Sequence, residues 1–566
     1  MSVKAKLLNR LVITSQIRTG RKALKKREEN ARNAAALQQE LLMRIVHDND
    51  TTEYGRLYHF DEIKDVNDYR EKVPFSDYDD YAPYIERMIK NDEKGLITNY
   101  PVVHYAASSG SVGVPKSIPV TKETLDHYSF NGISRSFASA DKLLREKTGK
   151  GMGFGRGLNN TDISIERTPY GITRGPISGA ALEHVKKLMP YVQTSPLEVL
   201  FPEARMDMKY LKVRFALEEE KLMYMTSAFV TGLVDLMNYI KNNWKMLCDD
   251  IEKGIINEEI DVPADIREKL CADIKPNPKR AAALREAFKE GFDTPFIPRV
   301  WPMLKWIVSI GTGGFKAYTE KMREFTGPDI VFDQMVYAAS EALMASATAS
   351  EEADYVLLPD SCFYEFIPVD AEDETETKLI NELEVGKYYE IVLTNLSGFY
   401  RYKIKDVIYV AGYEGETPRI CFAYRKSQVL SIAGEKTNDE SALWAVTETG
   451  KKFGIAIYDY TVYPNTDVEP GRYEVYIEPD HEIDMSLLPA IRDELDKKMG
   501  EANPSYGKKV RDNILSPMEV FVNQQETHAL WRDLQIQRGL SGNQLKPVRV
   551  LDTPVKERFF KNLIEK

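Results

Sequence analysis

The stretch Ser108-Ser109-Gly110-Ser111-Val112-Gly113-Val114-Pro115-Lys116-Ser117 decides how this chain is read. Before it stands a short β-like run, Pro101-Val102-Val103-His104-Tyr105, and a helical pattern begins at about Thr121. Small residues let backbone N–H groups close on phosphate oxygens, hydroxyls add donors, and Lys116 adds positive charge. A Ser/Gly loop in isolation is more often a flexible turn. From Gly110 to Ser117 it nearly fits GxxxxGK[ST], but Pro115 stands where the second glycine belongs. Proline has no N–H and a fixed φ, so a nest of donors would lose a member, and the P-loop reading is rejected.

Downstream segments give the loop its context. Tyr337-Ala338-Ala339-Ser340-Glu341 follows a strand-like run; a glutamate there can hold Mg²⁺ beside phosphates. Leu396-Ser397-Gly398-Phe399-Tyr400-Arg401-Tyr402-Lys403-Ile404-Lys405-Asp406 places an aspartate at a strand end, where it can accept two ribose hydroxyls. Then come Tyr424-Arg425, Gly434-Glu435-Lys436-Thr437 and, near the C-terminus, Gln544-Leu545-Lys546-Pro547-Val548-Arg549. Each segment alone reads as ordinary surface or turn. Their order is the signal.

In that order the chain resembles the Gretchen Hagen (auxin-responsive promoter) family of acyl-acid amido synthetases, within the adenylate-forming superfamily. The superfamily's phosphate loop reads roughly Ser/Thr-Ser-Gly-Thr-Thr-Gly-x-Pro-Lys, so Pro115-Lys116 is expected in it. The resemblance runs from Val73-Pro74-Phe75-Ser76-Asp77-Tyr78 to Gln544-Leu545-Lys546-Pro547. Three positions depart from it: Val112 and Ala339 stand where hydroxyl residues are usual, and Lys405 replaces a glycine before the aspartate.

The resemblance implies an α/β fold. A large N-terminal α/β domain with a β-barrel-like subdomain would carry a small, mobile α+β C-terminal domain. It implies ATP and Mg²⁺, a small carboxylic acid, and an amino acid as acceptor, with CoA as the alternative. Ser108, Ser109, Gly110, Ser111 and Lys116 would cradle phosphates, with Ser340 touching phosphate and Glu341 holding the metal. Tyr337 would lie by the adenine, Asp406 on the ribose, and Arg425 at the hinge. Lys546 would neutralise charge during adenylation, and Lys436 would act in one domain orientation. A third reading is non-catalytic: an adaptor using a basic N-terminus on membrane or nucleic acid.

Composition limits the choices. The chain has 566 residues, 43% hydrophobic and 29% charged, which suits a globular protein. Net charge is −11, against a globally basic nucleic-acid binder. Residues 1–34 nevertheless carry ten Lys or Arg and two Glu. Four dispersed cysteines form no CxxC pair, which disfavours a zinc site or disulfide scaffold. No apolar stretch approaches a membrane span and no secretory h-region is seen, so a cytoplasmic location is expected. The expected division is a basic helical extension at 1–34, a large substrate domain at 35–424 and a lid domain at 425–566. Expected elements include helices at 34–46, 181–188 and 279–291, and strands at Trp306–Ile310, 330–337 and Tyr388–Thr394, with helix–strand–strand–helix–strand after residue 440.

Overall fold

The computed structural model describes residues 3–107, 116–161, 163, 165–183, 185–312, 315–348, 354–371, 375–426, 430, 432, 433, 435, 437, 439–538, 540 and 545–565. The chain divides into two compact units. The first comprises Met1–Ile310, Glu320–Ile404 and Ile408–Phe422; the second comprises Gly311–Thr319, Lys405–Val407 and Ala423–Lys566. Among the described residues no helix is long and apolar enough to cross a membrane. The four cysteines are free.

The first unit holds three sheets. One is wholly parallel, in the order Gly157–Asn159, Tyr224–Phe229, Trp306–Ile310, Val331–Asp333. Its strands are short and mostly buried, as parallel strands covered by helices are. The apolar run 228–236 straddles a boundary here. Phe229 ends a strand and the helix Val230–Lys253 starts at once, so one hydrophobic run serves two elements. A second sheet orders Ser117–Thr121, Val102–Ala107, Thr173–Gly175 and Glu166–Arg167. The third has seven strands, in the order Phe363–Pro368, Tyr388–Thr394, Tyr402–Glu414, Thr417–Arg425, Tyr355–Leu357, Leu343–Ala347, Val336–Ala338.

The expected strand at 330–337 is two strands in two different sheets. Asp333 Oδ1 accepts the Met335 N–H at 2.8 Å, and Met335 takes φ +62. An aspartate that bonds its own backbone two residues on makes a turn, and this one redirects the chain.

The N-terminal helix spans Val3–Ala31. Arg21, Lys22, Lys25 and Lys26 face outward, whereas Ala23 and Arg27 are buried. Arg27 donates to Ala347 O at 3.1 Å and to Glu414 Oε2 at 3.3 Å. Asn9 Nδ2 donates to Gly155 O and Tyr191 O, each at 2.8 Å. A Cβ on Gly20 would lie 1.9 Å from Ser134 O, so only glycine permits that approach. The next helix, Ala34–Asp48, buries Leu41, Leu42, Ile45 and Val46 at helical spacing.

The second unit has its own core. Strands Ile457–Asn465 and Arg472–Pro479 pair antiparallel, and Glu519–Val522 adds parallel to the latter. Helices Asp439–Phe453 and Leu488–Ala502 contribute Ala445, Val446, Ile491 and Leu495 to the core against Val475 and Ile477.

Candidate active site

The loop that opens the sequence argument falls largely outside the described residues, including Ser108, Ser109, Gly110 and Ser111. Its frame is clear. Strands Val102–Ala107 and Ser117–Thr121 pair antiparallel with Ala107 opposite Ser117, so a hairpin holds the loop. The helix expected from about Thr121 is Lys122–His127, capped by the Thr121 hydroxyl, and the wholly buried strand Ser117–Thr121 stands between it and the loop. Lys116 is exposed, with its ammonium 4.7 Å from the centroid of the Tyr78 ring. The Tyr78 hydroxyl accepts the Ser117 N–H at 3.0 Å. Burial raises the Tyr78 pKa above its ordinary value, and the negative charge of Glu341 adds to the rise.

Ser340 and Glu341 lie in the turn between strands Val336–Ala338 and Leu343–Ala347, closed by Ala339 N–H to Ala342 O at 2.9 Å. Three side chains hold this turn. Tyr128 donates to Ala339 O, Asn395 Nδ2 to Glu341 O at 2.9 Å, and Tyr402 Oη to Glu341 Oε1 at 3.2 Å. Glu341 is 9% exposed. Among the described residues no group of three or more His, Cys, Asp or Glu forms a ready metal cage. Mg²⁺ bound with a nucleotide needs only one or two carboxylates besides phosphate oxygens and water, so a lone restrained glutamate fits it. Tyr337, half-buried on the first strand, has its ring 5.9 Å from Phe422 and 6.3 Å from Tyr355.

The signature around Tyr400 is scaffold. Gly398 has φ +96, and a Cβ there would meet Ile97 O at 2.6 Å. Asn395 Oδ1 accepts the N–H groups of Ser397 and Phe399. Tyr400 Oη donates to Ile97 O at 2.7 Å, and its N–H donates to Tyr81 Oη at 2.8 Å. Arg401 grips Glu365 through Nε at 3.0 Å and Nη2 at 3.2 Å, while its Nη1 donates to the carbonyls of Arg70 and Val73. This segment delivers Tyr402 to Glu341. Sequence reasoning quoted Tyr78 and Tyr402 without giving either a role; their partners are remote in sequence, and no local signal marks them.

Asp406 Oδ1 lies 3.4 Å from Arg425 Nε, so these two candidates meet. Lys405 just before has φ +66, a left-handed conformation that suits glycine. That explains why glycine is the residue expected there. Lys436 lies outside the described residues. On its two sides, Glu435 accepts the N–H groups of Ile432 and Ala433 at 2.8 Å each, and Thr437 bridges to Leu430. Lys546 is exposed, ahead of Val550, which pairs parallel with Val462.

The fold is the one that adenylate-forming ligases have. The 2-hydroxyisobutyryl-CoA ligase solved in its postadenylation state shares the fold, with TM-score 0.52 at 11% identity over 95% of this chain and 92% of that one. A GH3.15 acyl acid amido synthetase matches with TM-score 0.83 at 23% identity over 95% of both chains.

The chain belongs to the GH3 family. The family's N-terminal domain matches residues 23–331, its central domain 355–425 and its C-terminal domain 440–555. Among its relatives is the probable indole-3-acetic acid-amido synthetase GH3.1 of Arabidopsis thaliana, 29% identical over 95% of this chain and 92% of that protein. Another is the jasmonoyl--L-amino acid synthetase GH3.5 of Oryza sativa subsp. japonica, 27% identical over 92% of this chain and 93% of that protein.

Proposed function

We propose that this protein adenylates a small carboxylic acid with ATP and transfers the acyl group to an amino acid. A carboxylate is a poor electrophile because oxide would have to leave. In the first half-reaction its oxygen attacks the α-phosphorus, and the bond to pyrophosphate breaks. In the second, an amine nitrogen attacks the acyl carbon, the bond to AMP breaks, and the amine proton passes to solvent.

The chain's own residues serve the first step by holding anions together. Ser108, Ser109, Gly110, Ser111 and Lys116 contact phosphate oxygens, joined by Ser340. Glu341 holds Mg²⁺, which shields the phosphate charge. Tyr337 packs beside the adenine, within its aromatic group. Asp406 takes the ribose hydroxyls and Arg425 orients Asp406. Lys546 supplies positive charge between carboxylate and α-phosphate, and Lys436 acts in one domain orientation only. The boundary between substrate domain and lid domain falls at Tyr424–Arg425 in this reading. The observation that carries it is the hairpin turn at Glu341, pinned by Tyr402, in a chain of the GH3 family.

The test is carboxylate-dependent ATP–pyrophosphate exchange with pooled aromatic and aliphatic acids, followed by amino acids or CoA. Exchange with one pool and AMP release on adding an amino acid support the proposal. Release with CoA alone assigns the protein to thioester formation. No exchange with any pool, together with no ATP binding by calorimetry, overturns the nucleotide reading.

A further inference from the structure

The stretch that bears Lys546 ends on a buried ion cluster. Arg549, three residues downstream, has its side chain 8% exposed, and Asp459 opposite it is fully buried. Arg549 Nη1 contacts Asp459 Oδ1 and donates to Tyr460 O at 2.9 Å. Its guanidinium lies 4.4 Å from the Tyr460 ring centroid, and its Nε is 3.7 Å from Asp439 Oδ1. Tyr460 Oη donates to the same Asp439 oxygen at 2.8 Å, and Tyr318 Oη donates to Asp459 Oδ2. The backbone is fixed as well: Val462 N–H donates to Arg549 O at 2.9 Å, and Leu551 N–H to Val462 O at 2.9 Å. Three segments of the second unit therefore meet at one guanidinium, and a fourth, through Tyr318, holds the Asp459 carboxylate.

Burial works against the Asp459 charge, yet Arg549 and its neighbours outweigh it and hold the carboxyl below its ordinary pKa. An apolar cluster of the same volume stabilises a fold as well as a buried ion cluster does. What the charged cluster adds is direction. A planar guanidinium shared among two carboxylates and a carbonyl has one orientation, and the chain leading to it inherits that orientation. Lys546 is an exposed side chain on a stretch with no helix or strand of its own. Its aim depends on where the chain is anchored.

We propose that Arg549 is a positioning residue for Lys546, with Asp459, Asp439 and Tyr318 fixing the guanidinium. The proposal rests on the role given to Lys546 above.

The experiment measures pyrophosphate exchange, the KM for ATP and the melting temperature of the full chain carrying Arg549→Lys, Tyr318→Phe or Lys546→Ala, and of the doubles. Lysine keeps the charge but loses the fork. Phenylalanine keeps the ring, which packs 5.3 Å from the Tyr458 ring, and removes one hydroxyl. Arg549→Lys is expected to lower kcat about tenfold with the ATP KM within about twofold. Tyr318→Phe is expected to lower kcat about threefold with an unchanged melting temperature. In the Lys546→Ala background, read with radiolabelled pyrophosphate, neither should cause further loss, because a misaimed lysine cannot be misaimed once absent. Wild-type kcat in Tyr318→Phe and Arg549→Lys, or losses that multiply with that of Lys546→Ala, overturns the proposal. If Arg549→Lys does not fold, the Tyr318→Phe pair of measurements decides alone. Wild-type exchange in Lys546→Ala itself sinks the role of Lys546, and this proposal with it; an inactive Lys546→Ala beside unaffected Tyr318→Phe and Arg549→Lys sinks only the positioning role.

Discussion

The phenol of Tyr402 donates to the carboxylate of Glu341 at 3.2 Å, across 61 residues of chain. One oxygen of the proposed metal ligand is thereby restrained by the signature segment. Glu341→Gln keeps the shape and a hydrogen bond to Tyr402 but removes the charge. Exchange should fall about 100-fold, with little change in melting temperature. Excess Mg²⁺ should recover part of the loss, and EDTA should silence the wild type. An unaltered Mg²⁺ titration in Glu341→Gln would remove Glu341 from the metal site.

Glu365 is almost fully buried beneath two arginines, Arg401 and Arg70, the latter donating from Nε at 3.0 Å. Thr377 Oγ1 donates to it as well, at 2.7 Å. Removing the acid leaves buried positive charge unpaired. Glu365→Ala should lower stability by about 3–5 kcal/mol in chemical denaturation. A loss below about 1 kcal/mol would mean that water takes the acid's place at little cost.

Lys405 stands in a left-handed conformation that costs a residue with a Cβ about 1 kcal/mol or more. Lys405→Gly relieves this but loosens the unfolded chain, so stability should hold or rise by up to about 1 kcal/mol. Lys405→Val should lose about 2 kcal/mol, since β-branching tolerates positive φ worst. Paired thermal melts decide; equal melting temperatures for the two variants would deny the strain.

His104 is buried between Thr173 Oγ1 at 2.8 Å and Gly175 O at 2.9 Å. Burial lowers its pKa from the ordinary 6.5. The folded state therefore binds this proton less readily than the unfolded state. The contribution of His104 is complete above pH 6.5 and is lost as pH falls from there towards the folded pKa. Melts of wild type and His104→Gln between about pH 5 and 8 should diverge on the alkaline side and converge on the acid side. Parallel curves would show that His104 does not titrate on unfolding.

Local signals were the most legible. Asp77 caps the helix Tyr78–Asn91 with a full capping box, and Thr121 caps the helix after the loop hairpin. Periodicity marked the helix Ala34–Asp48 and the strand Tyr388–Thr394. Where reading failed, a local turn overrode an apolar pattern, as Asp333 and Met335 do by splitting 330–337. The partners of Glu341, Arg549 and Lys116 were illegible for another reason. Tyr402, Asp459 and Tyr78 reach them through the fold, and nothing in sequence spacing encodes that proximity. The order of the weak motifs was legible because the chain keeps it; the side chains that select the acid carry no comparable pattern.

The basic N-terminal helix has a practical consequence. By charge it looks like a dispensable tail. Yet Asn9, Gly20 and Arg27 each close against residues more than a hundred positions away. A shortened clone beginning near residue 34 would bare Ser134 and leave Glu414 without its arginine. A protease that trims this helix will cut into the body of the enzyme.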